Sequence, residues 1–346
     1  KIGKKWLKVA RQRYGHELGL KDCMVKTKGL SIRRAQANQT PLTETMFRRI
    51  ESMYAEHRRE GHLMREYPDA DQIWNGDEVG FDPTGQWNRT LCFRWDSPGY
   101  TITPDERAPF WASVFFWTRA DGVVGMVPPT VIHQGEAGVT NYSNVTTGEV
   151  DNNGVLRSFP GGWLVHQSPS GYNDRDGFMR IARHFLANCG PRRPQYIFID
   201  GHDSHWCPWA LQFLRLNLIF TFFLRSQNSE NDQPNDNGPN AVLKAKYKFA
   251  LEKFYWRLTR SVKLTASYFN GIFLDAWNSF LPEAAGATVR AFAKTGLHPF
   301  NAALAREDSE AKQKFGEMFA NERDSAAACN RVAELGGAGV VVQVKR

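Results

Sequence analysis

Acidic residues follow two apolar runs that lie far apart in the sequence. In IWNGDEVGF, Asp77 comes shortly after Trp74, and in QYIFIDGHDSHW, Asp200 directly follows Tyr196–Ile199. The second run predicts a strand buried on both faces, as in a parallel sheet. Asp, Gly and Ser are ordinary turn residues, but open sheets also bind ligands at the carboxyl ends of their parallel strands. A turn and a functional site are therefore both open interpretations of these acids.

A shared site for the two aspartates depends on the strands that carry them. The pattern predicts a short first strand from Gln72 to Asp77 and a fourth strand over 195–200 that ends at Asp200. If these strands are parallel neighbours, about 4.8 Å apart, the two carboxylates could grip one divalent cation. Bare carboxylates this close would repel, and one would keep its proton until a cation removed that penalty. By strand parity, Glu78 faces away from Asp77.

A third carboxylate is expected from the loop before the longest predicted helix. Asp236 lies there, and Asp232 and Glu230 compete for the role. Three carboxylates without a cysteine or paired-histidine framework form a hard, oxygen-rich site, which favours Mg²⁺ or Mn²⁺. Such a site serves phosphodiester cleavage, in which one metal activates a water or 3′-hydroxyl and the other stabilises the leaving oxygen. The start of a helix also helps to hold the Asp236 carboxylate ionised, whereas Asp232 is expected to be a solvated loop residue.

The rest of the pattern predicts the elements that position these acids. Further strands are predicted at 108–118 and 122–133, as a hairpin, and at 218–224; helices are predicted at 40–61, with Thr43 as N-cap, and at 173–188, 209–217 and about 240–260. Residues 134–172 are predicted to be a long loop region. Strands separated by helices should be parallel, and the leading ones can be antiparallel. This order predicts an α/β fold: an RNase H-like mixed sheet flanked by helices, with a helical N-terminal segment and a helical C-terminal extension.

Composition and charge narrow the class of protein. The chain of 346 residues carries a formal net charge of +8, and a basic excess favours an anionic partner, most often nucleic acid. None of the five cysteines forms a C-x-x-C pair, so zinc-site spacing is missing, and their scatter favours reduced thiols. The longest apolar run is too short to span a bilayer. Three regions are predicted: a helical, basic segment at 1–66, an RNase H-like domain with the acidic site at 67–262 and a helical extension at 263–346.

Three motifs, taken together, resemble those of the DDE transposases of the pogo, Tigger and jerky group. IWNGDEVGF resembles the family's first-aspartate motif, FIDGHDSHW its second and NDQPNDNGPNAVLKAKY its third. The resemblance covers roughly residues 1–302 and implies that Asp77, Asp200 and Asp236 are the catalytic, metal-binding aspartates. The family usually has leucine just before its third aspartate, where this chain has Asn235.

The resemblance implies a DNA-binding, metal-dependent endonuclease or transposase that uses Mg²⁺ or Mn²⁺. Its partner would be double-stranded DNA, its location the nucleus, and a homodimer is compatible with it. The family's helix-turn-helix region lies upstream, and residues 1–66 resemble its tail and the following linker. Two alternatives stay open: a domesticated DNA-binding protein without catalytic activity, and an RNase H that acts on RNA–DNA hybrids.

Four aromatic and imidazole side chains follow Asp200. His202 and His205 lack the partner motifs of a histidine-ligated metallohydrolase, and His205 is expected to cap the following helix or to approach a phosphate. Trp206 and Trp209 stand at a helix start, where a place in the hydrophobic core is expected.

Overall fold

The fold is seen in a computed structural model that describes residues 40–81, 111–135, 160, 162–225, 232–257 and 266–306. These residues fall in one compact unit, Ala37–Glu310; the other unit, Lys1–Gln36 with Ala311–Arg346, lies outside the described residues. Residues 1–39 of the predicted basic segment at 1–66 are therefore among those outside. The predicted domain boundaries at 66 and 262 stay predictions.

Six strands and five longer helices make up the described part of the chain. The strands are β1 Ile73–Phe81, β2 Ala112–Arg119, β3 Thr130–Gln134, β4 Leu164–Ser168, β5 Gln195–Ile199 and β6 Ile219–Phe223. The helices are α1 Thr40–Arg59, α2 Arg175–Asn188, α3 Pro208–Leu216, α4 Pro239–Arg257 and α5 Ala266–Thr295. Within the described residues, no helix is both long enough and apolar enough to cross a membrane.

The strands form one mixed sheet in the order β4-β3-β2-β1-β5-β6. Strand β2 is antiparallel to both β1 and β3, whereas β5 and β6 run parallel to β1. This central order and these directions define an RNase H-like sheet, with β4 added in parallel beside β3. The predicted fold class is confirmed, and so is the prediction that the strands bearing Asp77 and Asp200 are parallel neighbours.

Strand β1 is longer than the predicted strand, which ended at Asp77. It continues to Phe81 because the antiparallel partner β2 pairs with it throughout, from Trp74↔Arg119 to Phe81↔Ala112. Packing requires a glycine within this strand, because a Cβ on Gly76 would lie 2.5 Å from the Trp117 ring. The prediction that Asp77 ends the strand is therefore wrong.

Strand β4 lies inside the segment 134–172, which the sequence predicts as loop. Its residues LVHQS have weak alternation and glycine-rich flanks, so local preference gives little strand signal. The parallel ladder from Thr130↔Leu164 to Gln134↔Ser168 supplies the pairing that makes it a strand. Asp200 consequently follows the fifth strand of the chain, not the fourth.

Helices cover both faces of the sheet. One face carries Phe116 and Phe81 against α4 and α5, and the other carries Phe115 and Trp74 against α2 and α3. Helix α1 packs on Tyr196 and Phe198 of β5 through its apolar side, which consists of Met46, Phe47, Ile50 and Tyr54. Because α1 begins at Thr40, Thr43 lies inside the helix, and the prediction of Thr43 as the N-cap is wrong.

Candidate active site

Asp77 is a buried carboxylate in the middle of β1. It lies on the sheet face covered by α4 and α5, the same face as Asn75 and Val79, as strand parity predicts. Burial raises the pKa of Asp77 well above its ordinary value, and the negative charges of Asp236 and, less strongly, Asp200 add to that rise. A hydrogen bond from Asn240 acts in the opposite direction. The surroundings thus penalise the ionised form of Asp77, and a bound cation would reverse that penalty.

Asp200 follows β5 at the same level of the sheet as Asp77. The parallel register pairs Asn75 with Phe198, and continuing it by two residues brings Asp77 opposite Asp200. The side chain of Asp200 is partly exposed, and its Oδ1 lies 2.7 Å from His205 Nδ1. Burial acts to raise the pKa of Asp200, but the hydrogen bond and charge of His205 lower it below its ordinary value overall. Asp200 therefore stays ionised more readily than Asp77.

Of the two roles predicted for His205, the structure contradicts capping of the following helix, whose N-cap is Cys207, and the approach to a phosphate stays a prediction. His202, rather than His205, is the N-cap of the short 3₁₀ helix Asp203–His205, and its side chain accepts a hydrogen bond from Ser204 N–H. His205 is buried and holds Asp200 through both its carboxylate and, at 3.2 Å, its backbone carbonyl. The expected capping role of His205 is wrong because the imidazole reaches back to Asp200.

Asp236 lies in the 3₁₀ turn Asn235–Asn237, immediately before α4, and is exposed. The Asn240 side chain, in the first turn of α4, connects it to the sheet. Its Nδ2 donates to Asp77 Oδ2 at 2.6 Å and to Asp236 Oδ1 at 2.9 Å. The structure therefore brings the first and third predicted aspartates together through one shared amide.

Asp232 differs from the solvated loop residue that the sequence predicts. It is buried, and Arg225 donates to it in a bidentate pair, with Nε to Oδ2 at 2.6 Å and Nη2 to Oδ1 at 2.8 Å. Its negative charge is thus already matched by a guanidinium, which leaves Asp236 as the better placed third acid. Glu230 lies outside the described residues.

A buried polar network anchors the turn that carries Asp236. The backbone N–H of Asn235 donates to Asn75 Oδ1 at 2.8 Å, and Thr118 Oγ1 donates to Asn235 Oδ1 at 2.5 Å. Asn75 Nδ2 also donates to the carbonyl of Phe198 on β5, at 2.8 Å. Asn235 therefore ties this turn to β1 through its backbone N–H and to β2 through its side chain, and Asn75 extends the network to β5.

Glu78 points to the opposite sheet face from Asp77, as predicted. There it accepts hydrogen bonds from Ser113 Oγ and Asn173 N–H, and burial raises its pKa.

Trp206 and Trp209 are 50% and 72% exposed, so the prediction that they belong to the core is wrong. Trp206 stacks on the partly buried Phe223 at 4.0 Å instead.

The donor set at this edge of the sheet suits a hard divalent cation. Asp77, Asp236 and Asn240 offer carboxylate and amide oxygens, and the Asn240 Oδ1 is buried without a hydrogen-bond partner among the described residues. Within those residues, no three His, Cys, Asp or Glu side chains are close enough together to form a ready-made metal cluster. Metal binding by Asp77, Asp200 and Asp236 together therefore stays a prediction.

Comparisons with known proteins give only distant structural likeness. No protein-family model and no curated protein matches the chain. Among solved structures, a Mos1 strand transfer complex is 13% identical, with 92% of this chain and 71% of that chain covered and a TM-score of 0.44. A Mos1 mariner paired end complex with Mn is 11% identical, covering 86% of this chain and 67% of that one, with a TM-score of 0.42. The strand order and directions, rather than these likenesses, define the fold.

Proposed function

We propose that this chain is a DDE-type nuclease or transposase that cleaves phosphodiester bonds of double-stranded DNA with Mg²⁺ or Mn²⁺. One observation carries the proposal: on an RNase H-like sheet, Asp77 and Asp236 meet at the amide of Asn240. Asp200 occupies the matching level of the neighbouring strand. The proposal includes the pogo, Tigger and jerky type, on the strength of the three sequence motifs, and with it a nuclear location and a homodimer.

Each of the three aspartates would supply oxygen ligands to such a site from a different part of the chain. Asp77 and Asp236 supply oxygens from β1 and from the turn before α4, and Asp200 supplies a third carboxylate that His205 orients. Of two bound divalent cations, one would activate the attacking water or 3′-hydroxyl and the other would stabilise the leaving oxygen. Because His205 holds one oxygen of Asp200, the other oxygen is the one available to a cation.

Duplex cleavage with Mn²⁺ tests the proposal. The parent chain should nick and cut duplex DNA, and Asp77→Asn and Asp200→Asn should each reduce cleavage to background, since asparagine keeps the volume but removes the charge. Asp203→Asn is the matched control, because this exposed acid lies three residues after Asp200 and pairs with Arg175. Cleavage by either site variant at the parent rate would overturn the site assignment.

The same assay separates the rival functions. A domesticated DNA-binding protein would bind the duplex and leave it intact under every metal condition. An RNase H would cut the RNA strand of a hybrid and spare the DNA duplex. Either result would replace the proposed function with that alternative.

A further inference from the structure

Asn240 has one half of its side-chain amide engaged and the other half without a partner. The residue is 6% exposed, and its Nδ2 donates to both Asp77 and Asp236. Its Oδ1 is buried and has no hydrogen-bond partner among the described residues. A buried amide oxygen without a partner is uncommon in folded proteins and calls for an explanation such as an ion or water.

The turn before α4 and the two carboxylates hold the Asn240 side chain in place. Asn240 lies in the first turn of α4, and the turn before α4 is tied to β1 by the Asn235 N–H to Asn75 Oδ1 bond of 2.8 Å. The amide is held between a carboxylate of the sheet and a carboxylate of the turn. Because Nδ2 faces both carboxylates, Oδ1 lies on the other side of the amide, and half a turn of the amide would bring it next to the oxygens of Asp77 and Asp236.

We propose that Asn240 is itself a cation ligand, with Oδ1 joining the oxygens of Asp77 and Asp236. Without a cation, Nδ2 donates to both carboxylates and offsets their repulsion. Rotation of the amide by half a turn exchanges donor and acceptor, so the same side chain serves the metal-free and the metal-bound site. Amide oxygens are ordinary ligands of hard cations. The inference deepens the proposed function and rests on it.

Mn²⁺ titration of the whole chain by calorimetry tests this role apart from cleavage. Asn240→Leu keeps the approximate size but removes the oxygen and the donor, so the Kd for Mn²⁺ should rise about tenfold or more. Asn240→Asp keeps an oxygen and removes the donor, so its Mn²⁺ affinity should equal or exceed that of the parent. Circular dichroism confirms folding, and Asn240→Ala makes the same comparison if Asn240→Leu does not fold.

Asn237→Leu is the matched control for this titration. Asn237 lies in the same turn, and its Nδ2 donates to the Gln233 carbonyl at 2.9 Å rather than to an acid. Its replacement should leave Mn²⁺ affinity unchanged. Equal weakening by Asn240→Leu and Asn240→Asp would show that only the N–H matters and would overturn the ligand role. Unchanged affinity in Asn240→Leu would overturn it too, whereas a parent chain that binds no Mn²⁺ would overturn the proposed function itself.

Discussion

Asp77 is a carboxylate whose surroundings oppose its charge. Its ordinary pKa is 3.8, and burial followed by the charges of Asp236 and Asp200 raises that pKa well above this value. The folded protein therefore binds the proton of Asp77 more tightly than the unfolded chain does. The stabilising contribution of this proton is complete below a pH of about 3.8 and is lost as the pH rises through the raised, folded-state pKa.

We expect Asp77→Asn to raise the melting temperature of the metal-free protein at neutral pH. Asparagine removes the penalised charge and still accepts the Asn240 hydrogen bond, so a gain of about 2 °C or more is expected. The gain should shrink as the pH falls towards the ordinary pKa, because the parent side chain is then protonated. Thermal denaturation in a chelating buffer across this pH range measures it. A gain independent of pH would contradict the electrostatic explanation, and Asp203→Asn, whose side chain is 82% exposed, should show no comparable gain.

The individual site residues were predictable from the sequence to different degrees. Asp77 and Asp200 follow recognisable apolar runs, so their levels in the sheet could be predicted. Asn240 and Asn235 gave no such signal, because an asparagine before or in a helix has many ordinary uses. The burial of Asp232 could not be predicted, since its partner Arg225 lies across a segment with no periodic pattern.

The Arg225–Asp232 ion pair connects the end of β6 to the loop before α4, so it stabilises the position of that whole loop. The two side chains are 15% and 3% exposed, so their charges are largely removed from water. Breaking a buried pair by removing one partner leaves the other charge uncompensated, which typically costs about 3–5 kcal/mol. The exposed Arg175–Asp203 pair has 60% and 82% exposure and provides a contrast.

We expect Asp232→Ala to destabilise the fold by about 3 kcal/mol, measured by urea denaturation. Asp203→Ala should change the free energy of unfolding by about 1 kcal/mol or less. Replacing both partners, as Arg225→Met with Asp232→Leu, should recover much of the loss because no charge is then left buried. A cost for Asp232→Ala no larger than that for Asp203→Ala would show that the pair is not buried in solution.

Two glycines of β1, Gly76 and Gly80, leave room for the rings of Trp117 and Trp111 to lie against the strand. A Cβ on Gly76 would lie 2.5 Å from Trp117 and 2.8 Å from Phe115, both of which are buried. We expect Gly76→Ala to cost about 1–3 kcal/mol through overpacking, measured by chemical denaturation. In Trp117→Leu the larger ring is absent, so the added cost of Gly76→Ala should fall in that background to the part that the Phe115 contact still imposes. Additive costs would contradict the steric explanation.

The elements themselves were predictable where their local pattern was strong. The helices α1, α2 and α4 and the apolar strands β5 and β6 are found close to their predicted bounds. Strand β4 and the second half of β1 were missed for the same physical reason. Their strand conformation depends on ladders with β3 and β2, and such tertiary pairing overrides local preference.

At the scale of the whole molecule, the basic net charge would attract DNA, whereas the acidic site would repel it. The chain has a net charge of +8, yet the proposed site is acidic and would repel a phosphate in the absence of a cation. Under the proposed function, affinity for DNA would therefore come from basic surfaces away from Asp77, Asp200 and Asp236. Binding and catalysis should consequently be separable by mutation.

We expect the chain to bind duplex DNA with a steep salt dependence that the site variants preserve. Each phosphate contact adds about 0.9 to the slope of log K against log salt concentration, because a condensed counterion is released. Asp77→Asn and Asp200→Asn alter groups that face a cation rather than the basic surface, so their slopes should match that of the parent although their cleavage is lost. Fluorescence anisotropy across a salt series measures the slopes in the absence of divalent metal. A parent affinity unaffected by salt would exclude phosphate neutralisation as the source of binding. A slope that changes with either site variant would instead place the site within the surface that holds the DNA backbone.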